Sequence, residues 1–354
     1  MTTARRNVLV VGPSWIGDMV MAQSLFQTLC QQISDVQLSV LAPSWSLPLL
    51  GRMPEVAAAI PTPFEHGRLS LRQRFQLAHQ LRAKHFDQAI ILPRSFKAAL
   101  VPFLAGIPLR TGFLGEKRYG LLNDIRRINQ AELPRTVQHF VQLGRPRDST
   151  TEISPPPPRL VAHPHAVANI LDRLGIQPTE QPVLAICPGA AFGPAKRWPS
   201  AHFAQVARQQ LLRGWQVWLI GSQEDTEITA EIFGTGSPHL YDLAGRTQLE
   251  DVVDLLSVAS CVISNDSGLM HVAAAVDTPT IALYGSTSPK VNPPLSSRAT
   301  ILWRELSCSP CNQRSCPLGH TNCLRELAVD RVLEALTRAT ATSIHAGNTP
   351  RIRL

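Results

Sequence analysis

The apolar positions of the first half of the chain fall into short runs that alternate with stretches of helical periodicity. Apolar runs occur at residues 8–11, 36–42 and 88–93, and helical patterns at residues 19–29 and 71–84. Short apolar runs of this kind are typical of strands that are buried on both faces, and their alternation with helices indicates a parallel sheet. The pattern therefore predicts an α/β domain.

The same alternation starts again in the second half, after a proline-rich segment. Residues 153–159 read Ile-Ser-Pro-Pro-Pro-Pro-Arg, and four consecutive prolines fit neither a helix interior nor a sheet interior. Beyond them, apolar runs occur at 183–189, 216–222, 261–264 and 280–285, with helical patterns at 201–212 and 250–260. We predict two Rossmann-like parallel-sheet domains, residues 1–160 and 161–354, that face each other across a cleft. The last helix could pack back on the first domain.

One stretch of the second half has the chemistry of an anion site. The apolar run that ends at Asn265 is followed at once by Asp-Ser-Gly and then by an alanine-rich helical pattern. A helix that starts at the carboxyl end of a parallel strand offers free N–H groups and a positive dipole end to an anion. Ser267, Gly268 and Leu269 could hold a diphosphate there, and His271 would share a helix face with Ser267. The alternative is that Asp266 or Ser267 only caps the helix and that His271 is a packing residue.

The first apolar run leads into a second turn of interest, which reads Gly-Pro-Ser-Trp-Ile-Gly-Asp at residues 12–18. The turn lacks the G-x-G-x-x-G spacing of dinucleotide-binding loops. Asp18 is predicted to lie at a helix start, where the helix dipole favours a carboxylate. It is either a cap or a carboxylate held at the edge of the cleft.

Basic residues cluster after the strand predicted at 88–93. Arg94, Lys97, Arg110, Lys117 and Arg118 could form a rim that binds an anionic ligand, although scattered surface charge explains the same residues. Lys and Arg outnumber Asp and Glu by 34 to 26, which gives a net charge of +8 and suggests an acidic ligand or an anionic membrane surface. No nucleic-acid-binding signature accompanies the charge. No apolar run approaches the roughly 20 residues that span a bilayer, so we expect a cytoplasmic protein.

Four of the seven cysteines lie within 16 residues. Cys308, Cys311, Cys316 and Cys323, with His320 among them, have spacings that resemble a zinc site, and a cytosolic chain disfavours disulfides. These four cysteines are the candidate ligands of a structural zinc ion. Cys30, Cys187 and Cys261 lie in apolar runs and are expected to be ordinary core residues.

Several motifs occur together in a fixed order along the chain. They are Gly12-Pro-Ser-Trp-Ile-Gly-Asp18, Ser95-Phe-Lys97, Arg110-Thr-Gly112, Gly120-Leu-Leu-Asn-Asp124, Cys187-Pro-Gly-Ala190, Pro194-Ala-Lys-Arg-Trp-Pro199 and Asn265-Asp-Ser-Gly-Leu-Met-His271. This set resembles the ADP-heptose:lipopolysaccharide heptosyltransferases of glycosyltransferase family 9, the type II enzymes most closely, and the resemblance extends from about residue 8 to residue 338. The resemblance implies a GT-B fold, with the acceptor on the first domain and the nucleotide sugar on the second.

The resemblance also implies an activity and a set of site residues. The activity is an inverting transfer of L-glycero-D-manno-heptose from ADP-heptose to heptose I of the Kdo-containing, lipid A-linked inner core. Asp18 would be the catalytic base, and Lys196 would contact the phosphate and assist the departure of ADP. The remaining donor-binding residues would be Glu224, Asp266, Ser267, Gly268, Leu269 and His271. The acceptor-binding residues would be Arg94, Ser95, Lys97, Arg110 and Arg118.

Some alternatives remain open from the sequence. Another heptosyltransferase type, another GT-B enzyme that uses a sugar nucleotide, and a non-catalytic module that binds nucleotide and zinc would all share parts of the pattern. The absence of a D-x-D run removes the usual metal-binding signature of glycosyltransferases, so no cofactor is expected to be required, and a dependence on Mg²⁺ stays open. The expected partners are ADP-heptose, the lipid A-linked acceptor and the cytosolic face of the inner membrane, which the protein would contact peripherally. No nucleic acid is expected.

Overall fold

A computed structural model describes residues 5–64, 69–147, 149, 152–177, 180–234 and 236–345. The chain divides into two compact units, Met1–Pro158 and Arg159–Leu354, so the division falls at the end of the proline-rich segment. None of the helices in the described ranges is long and apolar enough to cross a membrane.

The first unit is built on a six-stranded parallel sheet. Its strands are β1 (Arg6–Val11), β2 (Val36–Pro43), β3 (Val56–Thr62), β4 (Gln88–Ile91), β5 (Leu109–Phe113) and β6 (Asp124–Arg126), and its helices are α1 (Ile16–Gln32), α2 (Leu47–Leu50), α3 (Leu71–Arg82), α4 (Phe96–Leu104) and α5 (Thr136–Gly144). The strand order is β3-β2-β1-β4-β5-β6. The central strand β4 is buried at every position, because helices cover both faces of a parallel sheet. The edge strand β3 has no buried residue and carries Pro61, which an edge strand tolerates.

The second unit repeats this architecture. Its strands are β7 (Val183–Cys187), β8 (Gln216–Leu219), β9 (Leu240–Asp242), β10 (Cys261–Asn265), β11 (Thr280–Tyr284) and β12 (Ala299–Trp303). Its helices are α6 (Val167–Leu174), α7 (Ser200–Leu212), α8 (Thr226–Phe233), α9 (Leu249–Val258), α10 (Gly268–Ala275), α11 (Asn322–Arg325) and α12 (Val329–His345). The strand order is β12-β11-β10-β7-β8-β9, with all pairs parallel. The last helix, α12, packs against the sheet of its own unit through residues such as Val332 and Leu336.

Each sheet has one point at which the order of its strands reverses direction. That point lies between β1 and β4 in the first unit and between β7 and β10 in the second. Ligands of open parallel sheets bind at the carboxyl ends of the strands at such a point, because the two connecting helices diverge there and leave a crevice. The two candidate regions are therefore the loops after β1 and β4 and the loops after β7 and β10.

The predicted fold class, two Rossmann-like parallel-sheet domains, is confirmed. Seven of the strands fall on the predicted apolar runs, and the helices predicted at 201–212 and 250–260 correspond to α7 and α9. The strands without a matching prediction are the short or peripheral ones, β3, β5, β6, β9 and β12. Peripheral strands lack the continuous apolar run of a strand buried on both faces, so periodicity alone does not reveal them.

Candidate active site

Asn265, the last residue of β10, joins the two loops at the reversal point of the second unit. Its Nδ2 donates to the carbonyl of Pro188 (2.7 Å), and its Oδ1 accepts from the backbone N–H of Trp198 (3.0 Å). The side chain is fully buried, so both of its polar groups are satisfied inside the protein. Asn265 thereby fixes both ends of the loop that carries Lys196.

Lys196 and Asp266 form a buried ion pair at this point. The Lys196 Nζ lies 2.6 Å from Asp266 Oδ2, and the two side chains are 13% and 6% exposed. The Thr287 hydroxyl donates to the same Asp266 oxygen. A buried charge is tolerated when it is paired and hydrogen-bonded, and this arrangement also holds the lysine ammonium at one position. Asp266 is thus a partner of Lys196 rather than a helix cap.

The helix α10 starts directly after this pair. Ser267 is its N-cap residue in extended conformation, and within the described structure its side chain makes no capping hydrogen bond. The Ser267 hydroxyl lies 3.2 Å from the Ser264 hydroxyl instead. Ser267, Gly268 and Leu269 are all half-buried rather than enclosed. The first turn of α10 can therefore offer backbone N–H groups to an anion, and a diphosphate bound there stays a prediction.

His271 lies on the same helix, 5% exposed, next to the ion pair. Burial lowers its pKa to about 4, and the charge of Lys196 acts in the same direction against the opposing effect of Asp266. The imidazole is therefore neutral at pH 7. A neutral histidine offers one N–H donor and one acceptor without adding charge beside Lys196.

Glu224 follows β8, which neighbours β7 in the sheet. It is exposed in a short 3₁₀ turn, Gln223–Asp225. The adjacent Asp225 accepts hydrogen bonds from the backbone N–H (2.9 Å) and hydroxyl (2.8 Å) of Ser222. A Cβ at Gly189 would come within 2.3 Å of the Asp225 carboxylate, so only glycine fits in the loop after β7. Because Asp225 lies against Gly189, the neighbouring Glu224 lies near the loop after β7, with its side chain exposed.

Three further residues of the second unit contact this site and were not predicted. Thr287 follows the carboxyl end of β11 by three residues and hydrogen-bonds to Asp266. The Phe192 ring contacts two cations, with Lys196 Nζ 4.9 Å and Arg314 Cζ 5.4 Å from its centroid. The Arg314 carbonyl accepts from the N–H of Ala195 (3.0 Å), which fixes the Arg314 backbone beside Lys196. The position of Thr287 at a strand end could have indicated its role, whereas Arg314 lies far from the loop in sequence.

In the first unit, the loops after β1 and β4 carry Asp18 and the basic residues. Asp18 lies half-buried in the first turn of α1. Ser95 is the N-cap residue of α4, with the exposed Arg94 before it and the half-buried Lys97 in the first turn. β1 and β4 are neighbours in the sheet, so these residues share one edge of it. That edge combines a carboxylate with exposed positive charge.

The structure corrects the predicted basic rim at two positions. Arg118 has no exposed surface, and its guanidinium donates to the carbonyls of Phe113 (2.6 Å), Pro93 (2.7 Å) and Ser95 (3.2 Å). Burial is the main cause that lowers its pKa, to about 10. Arg118 therefore connects the loops after β4 and β5 and is not part of an exposed rim.

Arg110 lies in the amino half of β5, away from the carboxyl edge, because it pairs with Ala89 of β4. Its Nε donates to the carbonyl of Leu121 (2.7 Å), and its guanidinium stacks over Phe103 at 5.5 Å. Arg110 is thus engaged in holding the chain around β5. Arg94, Lys97 and the exposed Lys117, which follows β5, remain as candidate members of the rim.

The four clustered cysteines lie around one small cavity. Cys308, Cys311, Cys316 and Cys323 line a cavity of about 20 Å³ together with His320, and all four are free thiols. Among the described residues, however, no group of three or more His, Cys, Asp or Glu side chains is arranged so that it could hold a metal ion. The structure brings the thiols together without forming a metal site, and zinc at these residues stays a prediction. Cys187 and Cys261 are buried in strands as expected, whereas Cys30 is exposed.

Comparisons of sequence and of structure with known proteins match the chain to heptosyltransferases. The model of glycosyltransferase family 9 (heptosyltransferase) matches residues 74–322. The chain is 42% identical to lipopolysaccharide heptosyltransferase 2 of Escherichia coli (strain K12), over 93% of this chain and 97% of that protein. It is 44% identical to lipooligosaccharide heptosyltransferase 2 of Haemophilus influenzae, over 84% of this chain and 88% of that protein. The solved structure of the E. coli ADP-heptose lps heptosyltransferase II superimposes with a TM-score of 0.86 at 38% identity, covering 96% of this chain and 99% of that one.

Proposed function

Because the chain belongs to glycosyltransferase family 9, the heptosyltransferase family, we propose that this glycosyltransferase transfers L-glycero-D-manno-heptose from ADP-heptose to heptose I of the lipopolysaccharide inner core. The observation that carries the proposal is the Lys196–Asp266 pair beside the open start of α10. This combination of a fixed cation and the N–H groups of a helix start suits a diphosphate. The sequences of relatives named heptosyltransferase 2 align with most of this chain.

In the proposed donor site, the diphosphate of ADP-heptose lies at the start of α10, where Ser267, Gly268 and Leu269 offer backbone N–H groups. Lys196 binds the phosphate oxygens, and the exposed Glu224 accepts a hydrogen bond from a ribose hydroxyl. Asp266 already neutralises part of the Lys196 charge, so a second cation is needed to balance a diphosphate. Arg314, fixed beside Lys196 on the ring of Phe192, is our candidate for that cation.

Asp266 and His271 are assigned to the transferred sugar. A carboxylate accepts hydrogen bonds from sugar hydroxyls, and its negative charge disfavours a position against phosphate. The neutral imidazole of His271 can donate or accept beside it. These two residues would orient the heptose while Lys196 binds the leaving group.

The chemical step is a single displacement with inversion at the anomeric carbon. The acceptor hydroxyl gives its proton to the Asp18 carboxylate, and its oxygen forms the new bond to the anomeric carbon. The bond from that carbon to the ADP oxygen breaks, and its electron pair leaves with the diphosphate. Lys196, Arg314 and the start of α10 stabilise the charge that develops on the departing ADP. Arg94, Ser95 and Lys97 would bind the anionic acceptor.

The proposed acceptor is anchored in lipid, so the protein would act in the cytoplasm while associated peripherally with the inner membrane. The net charge of +8 is compatible with an anionic membrane surface. No cofactor is proposed as a requirement of the reaction, since the positive groups of the second unit can stabilise the leaving diphosphate.

ADP release in the presence of a heptose I-terminated acceptor tests this function. We expect release with ADP-heptose, but not with UDP-glucose or UDP-N-acetylglucosamine, and a loss of about 10²-fold or more in Asp18→Asn. Asp35→Asn is the matched control, because Asp35 is an exposed acid between α1 and β2, at the opposite edge of the same sheet. Turnover of a UDP-sugar instead of ADP-heptose would favour a different GT-B enzyme, and an unchanged Asp18→Asn rate would remove Asp18 from the mechanism.

A further inference from the structure

Helix α3 of the first unit presents large apolar side chains outward. Leu71 and Phe75 are 57% and 56% exposed, and Leu69, just before the helix, is 48% exposed. Leu71 and Phe75 are four residues apart, so they lie on one face of the helix. With Leu104 of α4 they line an open groove of about 530 Å³. Large apolar side chains that cluster on the surface of a monomer mark a contact with a partner or a membrane.

This apolar face is held in place by the protein and is not a frayed end. The buried guanidinium of Arg74 stacks on Phe64 at 3.9 Å and donates to the carbonyls of Leu69 (2.7 Å) and Lys97 (2.8 Å). Arg82 donates to the carbonyl of Leu104 (2.8 Å). The inward face of α3 packs into the core through Leu77, Ala78 and Leu81. The outward apolar face is therefore a stable feature of α3 and α4.

Basic residues outnumber acidic ones in the sequence that forms this face. No aspartate or glutamate occurs from residue 69 to residue 86, or from residue 88 to residue 115. Arg72 lines the groove, Arg82 donates to the carbonyl of Leu104, and the exposed Lys84 follows the end of α3. A basic helix with exposed leucine and phenylalanine is typical of segments that lie in the interface of an anionic bilayer, the apolar side chains entering the acyl boundary and the basic ones staying among the headgroups.

The position of the face also fits a lipid-anchored acceptor. The Arg74–Lys97 hydrogen bond ties the start of α3 to the start of α4, where the proposed acceptor-binding residues Ser95 and Lys97 lie. Leu69 and Leu71 are therefore near the edge of the sheet that would receive the acceptor sugar. An acceptor held by lipid would reach this edge most easily if the same side of the unit rested on the membrane.

We propose that α3, with Leu69, Leu71, Phe75 and the basic residues Arg72 and Lys84, is the surface through which the protein docks on an anionic lipid bilayer. The proposal rests on the proposed function, because it places the enzyme on the membrane that carries its acceptor. It predicts a reversible, salt-sensitive attachment with both an apolar and an ionic component.

Vesicle sedimentation tests the surface. With vesicles of phosphatidylglycerol and phosphatidylethanolamine, we expect the intact protein to bind, and to bind much less at high salt or to pure phosphatidylcholine. Leu71→Ser/Phe75→Ser should weaken binding about tenfold or more, because two half-exposed apolar side chains lose their burial in the membrane. Arg72→Gln/Lys84→Gln should weaken it to a similar extent, at about fivefold per basic residue.

The matched control is Leu212→Ser/Phe233→Ser, which removes an exposed leucine and phenylalanine from the second unit. Wild-type binding by this control, with the melting temperature of every variant unchanged, supports the proposal. It is overturned if the intact protein does not bind anionic vesicles, if Leu71→Ser/Phe75→Ser binds them as the wild type does, or if light scattering shows that the face joins two copies of the chain.

Activity separates this proposal from the proposed function. Leu71→Ser/Phe75→Ser should lose activity on an acceptor embedded in vesicles but keep the wild-type rate on a deacylated, soluble acceptor. Equal losses on both acceptors would contradict the docking role. A wild-type protein that transfers heptose to neither acceptor, yet still binds vesicles through α3, would refute the proposed function alone.

Discussion

Removing the positive charge of Lys196 should affect both the stability of the protein and its turnover. In Lys196→Met, the Asp266 carboxylate, whose side chain is 6% exposed, loses the ammonium 2.6 Å away and keeps the hydroxyl of Thr287. Breaking a buried ion pair from one side costs about 3–5 kcal/mol, because a buried charge is left without its partner. Since Thr287 still donates to Asp266, we expect the lower end, about 3 kcal/mol.

The double variant Lys196→Met/Asp266→Asn separates the two effects. The neutral asparagine no longer needs an ammonium partner and can still accept from Thr287, so most of the lost stability should return. For a domain of this size, 3 kcal/mol corresponds to a shift of about 6–12 °C in Tm. Turnover should not return, because the cation that stabilises the departing diphosphate is missing from both variants, a loss of about 10²–10³-fold in kcat.

Thermal unfolding and steady-state kinetics of wild type, the two single variants and the double variant measure these quantities. We expect the Tm of the double variant to lie above that of Lys196→Met while both have the same low kcat. A double variant less stable than Lys196→Met would show that the pair is not the reason for the loss. Wild-type kcat in Lys196→Met would refute its role at the phosphate.

Four further predictions concern other parts of the chain. Burial lowers the pKa of His271 to about 4 from 6.5, so the unfolded chain binds the proton before the folded protein does as pH falls. The contribution of neutral His271 to the free energy of unfolding is full above pH 6.5 and is lost toward pH 4, by about 2 kcal/mol between pH 7 and pH 5, and urea unfolding should show this loss in wild type but not in His271→Asn. Arg94→Ala/Lys97→Ala should raise the acceptor KM several-fold, leave the ADP-heptose KM unchanged and flatten the salt dependence of acceptor binding. Wild-type acceptor kinetics in this variant at low and high salt would show that the acceptor binds elsewhere. Arg118→Met should destabilise the fold by about 2–3 kcal/mol, because the carbonyls of Phe113, Pro93 and Ser95 lose a donor inside the protein, and an unchanged Tm would contradict its connecting role. Purified protein should carry up to one zinc per chain if the clustered cysteines bind it, and metal analysis that finds none, with these thiols titrating in the native protein, would end that prediction.

The strands that the sequence predicted are those whose residues are buried along most of their length. β1, β7 and β10 form continuous apolar runs because helices cover both faces of each sheet, and such runs are easily recognised. The four prolines of residues 153–159 indicated the division between the units for a similarly local reason. The strand β3 alternates between half-buried and exposed positions at the sheet edge and carries a proline, so it has no such run.

The candidate site divides in the same way. Asp266 to His271 were predicted because a strand, a turn and a helix start follow each other within a few residues. Arg118 was misassigned because its sequence neighbours are polar, whereas its burial depends on the carbonyls of Pro93, Ser95 and Phe113. Arg314 was missed because only the tertiary structure brings it to Phe192, 122 positions earlier in the chain. Local patterns predict elements and turns, but not contacts between distant segments.

The most direct test of the account is the mass of the acceptor after reaction. Purified protein is incubated with ADP-heptose and a heptose I-terminated, Kdo-containing acceptor, and the product is analysed by mass spectrometry, with Asp18→Asn and Asp35→Asn in parallel. The account predicts that wild type and Asp35→Asn add a single heptose to heptose I and that Asp18→Asn adds almost none. An unmodified acceptor with active, folded wild-type protein, or a heptose added to Kdo instead of heptose I, would contradict it.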